Sequence, residues 1–231
     1  MTILALEFSS RQRSVAVARA GCVLGEVIET GAGLHPDQKA GASSRQAGAT
    51  GAFGMIEAAL REAKLEREQI EILAVGLGPG SYTGVRVALS MAQGWQLARG
   101  AKLLGVSSID CLAAQARAES VFGRVNVVVD AQRNEFYLAT YEISADGWNI
   151  INPLRILTAG EIRSRAGSGE ILIGPEVTRW FPDGRTIFPR AAALARLAVG
   201  RDGFVTGGKL EPIYLREANF VKAPARKSAA I

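Results

Sequence analysis

The chain reads as an α/β protein of two related lobes, on three observations. Strand-length apolar runs alternate with stretches of helical period along its length. A strand ending in an acid, a short polar turn with basic residues and a second strand open at Ile3 and recur from Val125. Between these units, residues 108 to 123 supply a boundary, which divides the chain into an N-terminal lobe 1–108 and a C-terminal lobe 109–231 with a basic tail. Two unrelated hairpins of similar sequence are the alternative.

The run Ile3 to Phe8, the turn Ser9 to Arg13 and the run Val15 to Ala18 predict strand, turn, strand, and after Ala20-Gly21 the stretch Cys22 to Ile28 adds a third strand to an antiparallel meander. Residues 31–51 are rich in Gly, Ala, Ser and polar groups, and their first part reads as a mobile loop. From Ala49 the apolar residues Ala52, Phe53, Ile56, Ala59, Leu60 and Ala63 fall on one side of a helix ending near Lys64. Ile70 to Leu77 is a strand, 78–83 a glycine-rich turn, and Gly84 to Arg99 a helix that is apolar on most sides. Such a helix needs cover on more than one face. Lys102 to Val106 is a strand, and Ser107 or Ser108 caps a helix through Glu119. The second half continues with strands at 125–130, 135–141, 150–157 and 171–174, a short helix from Thr158 and another within 191–200. Pro212 and the residues after it suit an edge or docking segment.

Composition narrows the function classes. Of 231 residues 48% are hydrophobic and 21% charged, which excludes a disordered chain. No apolar run approaches the ~18 residues of a membrane span, and the N-terminus shows no basic leader, so the expected location is cytoplasmic with no membrane partner. Cys22 and Cys111 form no Cys-x-x-Cys pair, and His35 is the single histidine, so neither a zinc site nor a histidine-dependent triad is expected. The net charge of +5 is a C-terminal property, since residues 185–231 hold nine Lys/Arg against three Asp/Glu. A solvated helix face with a basic tail (Lys222, Arg226, Lys227) or a nucleic-acid-facing surface both fit.

The sharpest local feature is Gly76-Leu-Gly-Pro-Gly-Ser-Tyr-Thr-Gly-Val-Arg86, after a strand and before a helix. Glycines there let amides face an anion, which makes Gly78, Gly80, Ser81, Thr83 and Gly84 candidate phosphate or nucleotide ligands. No Lys-Ser or Lys-Thr follows, so it is not a Walker loop. A tight turn with Ser81 or Thr83 as helix cap is the alternative. Glu7 and Asp130, both at strand ends, are candidates to face one another across a cleft and hold a metal-phosphate, or else to cap their own turns. No group is assigned a catalytic role, and no metal site is expected.

Gly78 to Arg86, Ala92-Gln93-Gly94, Gly105-Val106-Ser107-Ser108, Asp130 to Tyr137 and Pro212 to Arg216 together resemble the bacterial TsaB (YeaZ) family. The resemblance implies an actin-like (ASKHA, ribonuclease H-like motif) two-lobe fold. It also implies a non-catalytic subunit in the making of threonylcarbamoyladenosine (t6A) in tRNA. The implied partners are a TsaD-like catalytic subunit and a TsaE-like ATPase, with tRNA reached indirectly through the complex. Apart from the resemblance, a homodimer through the same helices is the expectation if their apolar patch is left uncovered in the isolated protein. No tightly bound cofactor is implied, and ATP or ADP with Mg at the partner interface is the one ligand in view. The interface falls on the helices at 49–64 and 84–99, with Phe53, Ile56, Glu57, Leu60, Arg86, Leu89, Ala92, Gln93, Trp95 and Gln96 as its candidate residues. The chain departs from the family at Glu7-Phe8, where Asp-Thr is usual, and at Gly48-Ala49, where His-Ser is usual. A self-contained actin-fold ATPase or phosphotransferase using the Gly78 to Gly84 loop is the competing reading, and a peptidase a weaker third.

Overall fold

The computed structural model describes residues 1–30, 42–166 and 169–215. The first sheet contains β1 (Thr2–Glu7), β2 (Gln12–Arg19), β3 (Cys22–Thr30), β4 (Ile72–Gly76) and β5 (Lys102–Val106), in the order β3-β2-β1-β4-β5. β1, β2 and β3 pair antiparallel, whereas β1, β4 and β5 run parallel. The second sheet contains β6 (Gly123–Asp130), β7 (Glu135–Ile143), β8 (Trp148–Thr158), β9 (Ile171–Gly174) and the short β10 (Arg185–Thr186). Its order, β8-β7-β6-β9-β10, with an antiparallel meander followed by parallel strands, repeats the first. The helices repeat too: α1 (Ala42–Ala63) and α4 (Ala159–Ala166) follow the meanders, and α3 (Ser108–Ala118) and α5 (Ala191–Ala198) follow the last strands. α2 (Tyr82–Arg99) joins β4 to β5, and a single 3-10 turn at Val177–Arg179 stands in its place in the second lobe. This is the duplicated actin-like two-lobe arrangement.

Alternation along the strands explains the layers. Leu4, Leu6, Val15, Val17, Leu73 and Val75 pack under α1 and α2, while Ile3, Ala5, Ala16, Ala18, Ile72 and Ala74 pack against α5. Both faces being covered, β1 and β4 read as continuous apolar runs. In the second lobe α3 covers Val125, Val127 and Val129, and α4 with the 3-10 turn covers Val128, Phe136 and Leu138. Among the described residues no helix is long and apolar enough to cross a membrane.

Several boundaries differ from the sequence expectation. α1 starts at Ala42, so Gly48 and Ala49 lie inside a helix and not at its start. Small residues at 46–52 obscure its apolar period. The remainder of the expected loop, 31–41, lies outside the described residues, as do Arg216, Glu217 and the basic tail. α2 begins at Tyr82, because Ser81 Oγ accepts the Gly84 amide at 3.2 Å, so Ser81 is the cap and Thr83 and Gly84 belong to the first turn. Ser107 caps α3, its Oγ accepting the Ile109 amide at 3.2 Å. The C-terminal part of the chain does not stay with the second lobe. α5 lies on the first sheet, Val205 donates its amide to Leu103 O at 3.0 Å, and Ile213 donates to Leu77 O at 2.9 Å.

Candidate functional site

Two places had a claim on function: the glycine-rich loop with its acids, and the paired helices α1 and α2. Glu7, the last residue of β1, is wholly buried. Its Oε1 accepts the Ser9 amide at 2.8 Å and its Oε2 accepts the Ser108 hydroxyl at 2.8 Å. Ser108 Oγ in turn accepts the Gly78 amide at 3.1 Å. Burial pushes the Glu7 carboxyl above its ordinary range, outweighing the bonds from Ser9 and Ser108, which act the other way. Gly76 is required beside it, since a Cβ there would stand 2.0 Å from Glu7 Oε2.

Two of the loop glycines, Gly80 and Gly84, sit against the β1–β2 turn with no space for a side chain. A Cβ on Gly80 would stand 2.1 Å from Ser9 O, and one on Gly84 2.0 Å from Phe8 O. The Ser81 amide donates to Ser9 O at 2.6 Å, so the amides of Gly78, Ser81 and Gly84 are engaged within the protein. Asp130 lies elsewhere. It borders a cleft of about 480 Å³ between the lobes, with Arg11, Ser81, Tyr137, Glu176 and Tyr214, and its Oδ1 accepts the amide of Gln132 at 2.7 Å. Glu7 does not line that cleft. The expected pairing of Glu7 with Asp130 is therefore absent: one acid is sealed under Gly76 and Ser108, and the other caps its own turn. Among the described residues no cluster of three His, Cys, Asp or Glu side chains suits a metal ion.

The helices are different. Between α1 and α2 runs an open groove of about 870 Å³. Phe53, Tyr82, Val87, Met91, Trp95 and Ala98 supply its apolar wall, and Phe53 is 63% exposed. Ion pairs of Arg67 with Glu57 and of Arg99 with Glu68 edge one end. At the other, the Arg86 guanidinium lies 4.1 Å from the centre of the Tyr82 ring and its Nε donates to Tyr214 Oη at 3.5 Å.

Of the expected interface residues, Phe53, Glu57, Arg86 and Trp95 line this groove, and Ile56 touches it from a buried position. Leu60, Leu89 and Ala92 face the core instead. Gln93 and Gln96 face a different way again: Gln93 Nε2 donates to Gly207 O at 2.8 Å, and Gln96 Oε1 accepts the Gly207 amide at 2.7 Å. The expected interface set left out Tyr82, Val87, Met91, Gly94 and Ala98, which also line the groove, although Gly94 and Ala98 are among the small residues of α2 that permit close helix approach. Val87, Met91, Gly94 and Ala98 repeat at helical spacing, and that stripe was the available signal.

A family model described as "TsaD: tRNA N6-adenosine threonylcarbamoyltransferase" matches residues 23–194. The chain is 29% identical over 181 residues to the tRNA threonylcarbamoyladenosine biosynthesis protein TsaB of Escherichia coli (strain K12), covering 70% of this chain and 78% of that protein. It is 27% identical over 142 residues to the TsaB of Bacillus subtilis (strain 168), covering 62% and 56% respectively. Among solved structures, YeaZ from Pseudomonas aeruginosa superposes with a TM-score of 0.73 at 26% identity, over 93% of this chain and 99% of that one. With the duplicated strand order and the Gly78 to Arg86 segment in place, these matches make the chain a member of the TsaD-like proteins and, among them, of the TsaB (YeaZ) family.

Proposed function

We propose that the protein is a cytoplasmic accessory subunit of tRNA t6A biosynthesis that binds a TsaD-like catalytic subunit through the α1/α2 groove and performs no chemistry alone. The observation that carries this is the groove itself, an apolar, open concavity between two helices anchored on a rigid sheet. The enclosure of Glu7 supports the second half of the reading, because the one acid at the end of β1 has no room for a cation or a phosphate. A TsaE-like ATPase joins the assembly, which reaches tRNA as a whole. When ATP or ADP with Mg enters, the partner interface holds it. Without the partner, a second copy of the chain covers the same groove.

Gly94 offers the sharpest test. It is exposed in the groove wall, and a Cβ there meets nothing within 4 Å. Gly94→Arg is expected to fold as wild type and to weaken association with the TsaD-like subunit about 100-fold or more, the scale of blocking a central hot spot. Light scattering and calorimetry on the mixed proteins read this directly. Unchanged affinity removes the groove from the interface. ATP turnover by the isolated protein, lost on Asp130→Asn, would replace the accessory reading with an enzymatic one.

A further inference from the structure

On the side of the first sheet opposite the α1/α2 groove, α3, α5 and the β7–β8 hairpin enclose a second concavity of about 490 Å³. Its apolar wall consists of Phe122, Trp148, Leu197 and four alanines, and its polar lining of Gln115, Arg117 and Arg196. No carboxylate lines it. Its size lies within the range of ligand-binding clefts.

The walls are held in place. The Trp148 indole stands edge-on to the Tyr141 ring, 5.4 Å between centres at 82°, and the Tyr141 hydroxyl donates to Asp110 Oδ1 at 2.9 Å. Arg117 donates from Nε and Nη2 to Ala145 O at 3.0 and 2.6 Å, which ties the hairpin to α3. A carbonyl does not neutralise its charge. Arg196 is exposed on α5, its carbonyl accepts the Val199 amide, and among the described residues its guanidinium has no ion pair or hydrogen bond. The nearest acid along α3, Glu119, is bound to Arg185 at 2.9 Å and to Gln115 Nε2 at 3.0 Å.

We propose that this cleft binds an acidic, aromatic peptide segment of a partner protein. The ring lies against Trp148 and Phe122, and a neighbouring carboxylate meets Arg196 with support from Arg117. Aromatic side chains next to a carboxylate match a lining that holds two guanidinium groups and no acid. A nucleic-acid strand matches less well. Its phosphates need several free cations in a row, whereas this cleft has one guanidinium without a partner, and Glu119 and Asp146 follow directly on lining residues Ala118 and Ala145. The site is separate from the α1/α2 groove and stands independently of the accessory function.

The chain has three tryptophans, so the full protein labelled with 15N at the indoles yields three signals, assigned with Trp148→Phe. Titration with the acetylated, amidated tripeptide Asp-Trp-Glu is expected to move the Trp148 signal to saturation and to leave Trp95 and Trp180 in place. Arg196→Glu is expected to raise the Kd at least about tenfold, Arg196→Lys to keep most of the affinity, and the uncharged tripeptide Asn-Trp-Gln to bind at least about tenfold more weakly. Arg196→Gln serves as a second variant should the charge reversal disturb folding. Absence of saturation, or a shift indifferent to Arg196, overturns the proposal. Movement of Trp95 instead sends the peptide to the α1/α2 groove, and tighter binding of AMP or a tetranucleotide assigns the cleft to nucleotides. Unaltered binding of the TsaD-like subunit by Arg196→Glu separates this outcome from the fate of the groove.

Discussion

Glu7 closes β1 with a carboxyl group that water cannot reach. It joins three stretches of chain: the β1–β2 turn through Ser9, α3 through Ser108, and by way of Ser108 the Gly78 loop. Its carboxyl is raised above the ordinary value of 4.5, so between 4.5 and the folded value the native chain holds a proton that the unfolded chain has lost. Stability from this group is therefore complete at low pH and declines as pH rises through that window. Urea midpoints between about pH 5 and pH 8 are expected to fall more steeply in the wild type than in Glu7→Gln, which carries no such proton. Equal slopes would mean that Glu7 titrates normally.

At the scale of the element, α2 carries two apolar faces with different duties. Val85, Ala88, Leu89 and Ala92 press on the sheet, and Val87, Met91, Gly94 and Ala98 face the groove. Gln93 and Gln96 occupy a third side and hold the segment around Gly207. Ala92 has no exposed surface, so Ala92→Glu buries an unpaired charge and is expected to unfold the protein, with loss of its cooperative urea transition. Gly94→Ala, two residues further on, is expected to raise stability by about 0.5–1 kcal/mol, since the new methyl group meets open space and helix interiors favour alanine. The same transition measures both.

The whole molecule is stitched together by its C-terminal part. α5 covers the face of the first sheet formed by Ile3, Ala5, Ile72 and Ala74. The Ala191 amide donates to Ser14 Oγ at 2.8 Å, the Ala192 amide to Glu26 Oε1 at 3.1 Å, and Arg190 pairs with Glu26. Leu210 is buried in the core on the opposite face of that sheet. An isolated fragment 1–108 is thus left with an uncovered apolar sheet face, and it is expected to aggregate or stay unfolded by circular dichroism. Co-expression with 109–231 is expected to restore a soluble complex. A fragment that folds alone would mean that α5 is dispensable to the first lobe.

The amino-acid sequence by itself determined the alternation of strand and helix, the repeated strand-turn-strand unit and the position of the Gly78 to Arg86 loop, because period, turn chemistry and glycine placement are local properties. The start of α1 was hidden by its small residues, and β10, two residues long, carries too little pattern to be read. Only the tertiary structure decided which side of α2 is open. A helix apolar on opposite sides has no local mark of which side meets the sheet, so Leu89 and Ala92 looked as available as Val87 and Met91. Distance along the chain concealed the rest: Ser108 reaches Glu7 across 101 residues and Ser14 caps α5 across 177. Contacts of that separation depend on how the two sheets and their covering helices pack, and no window of sequence contains both partners.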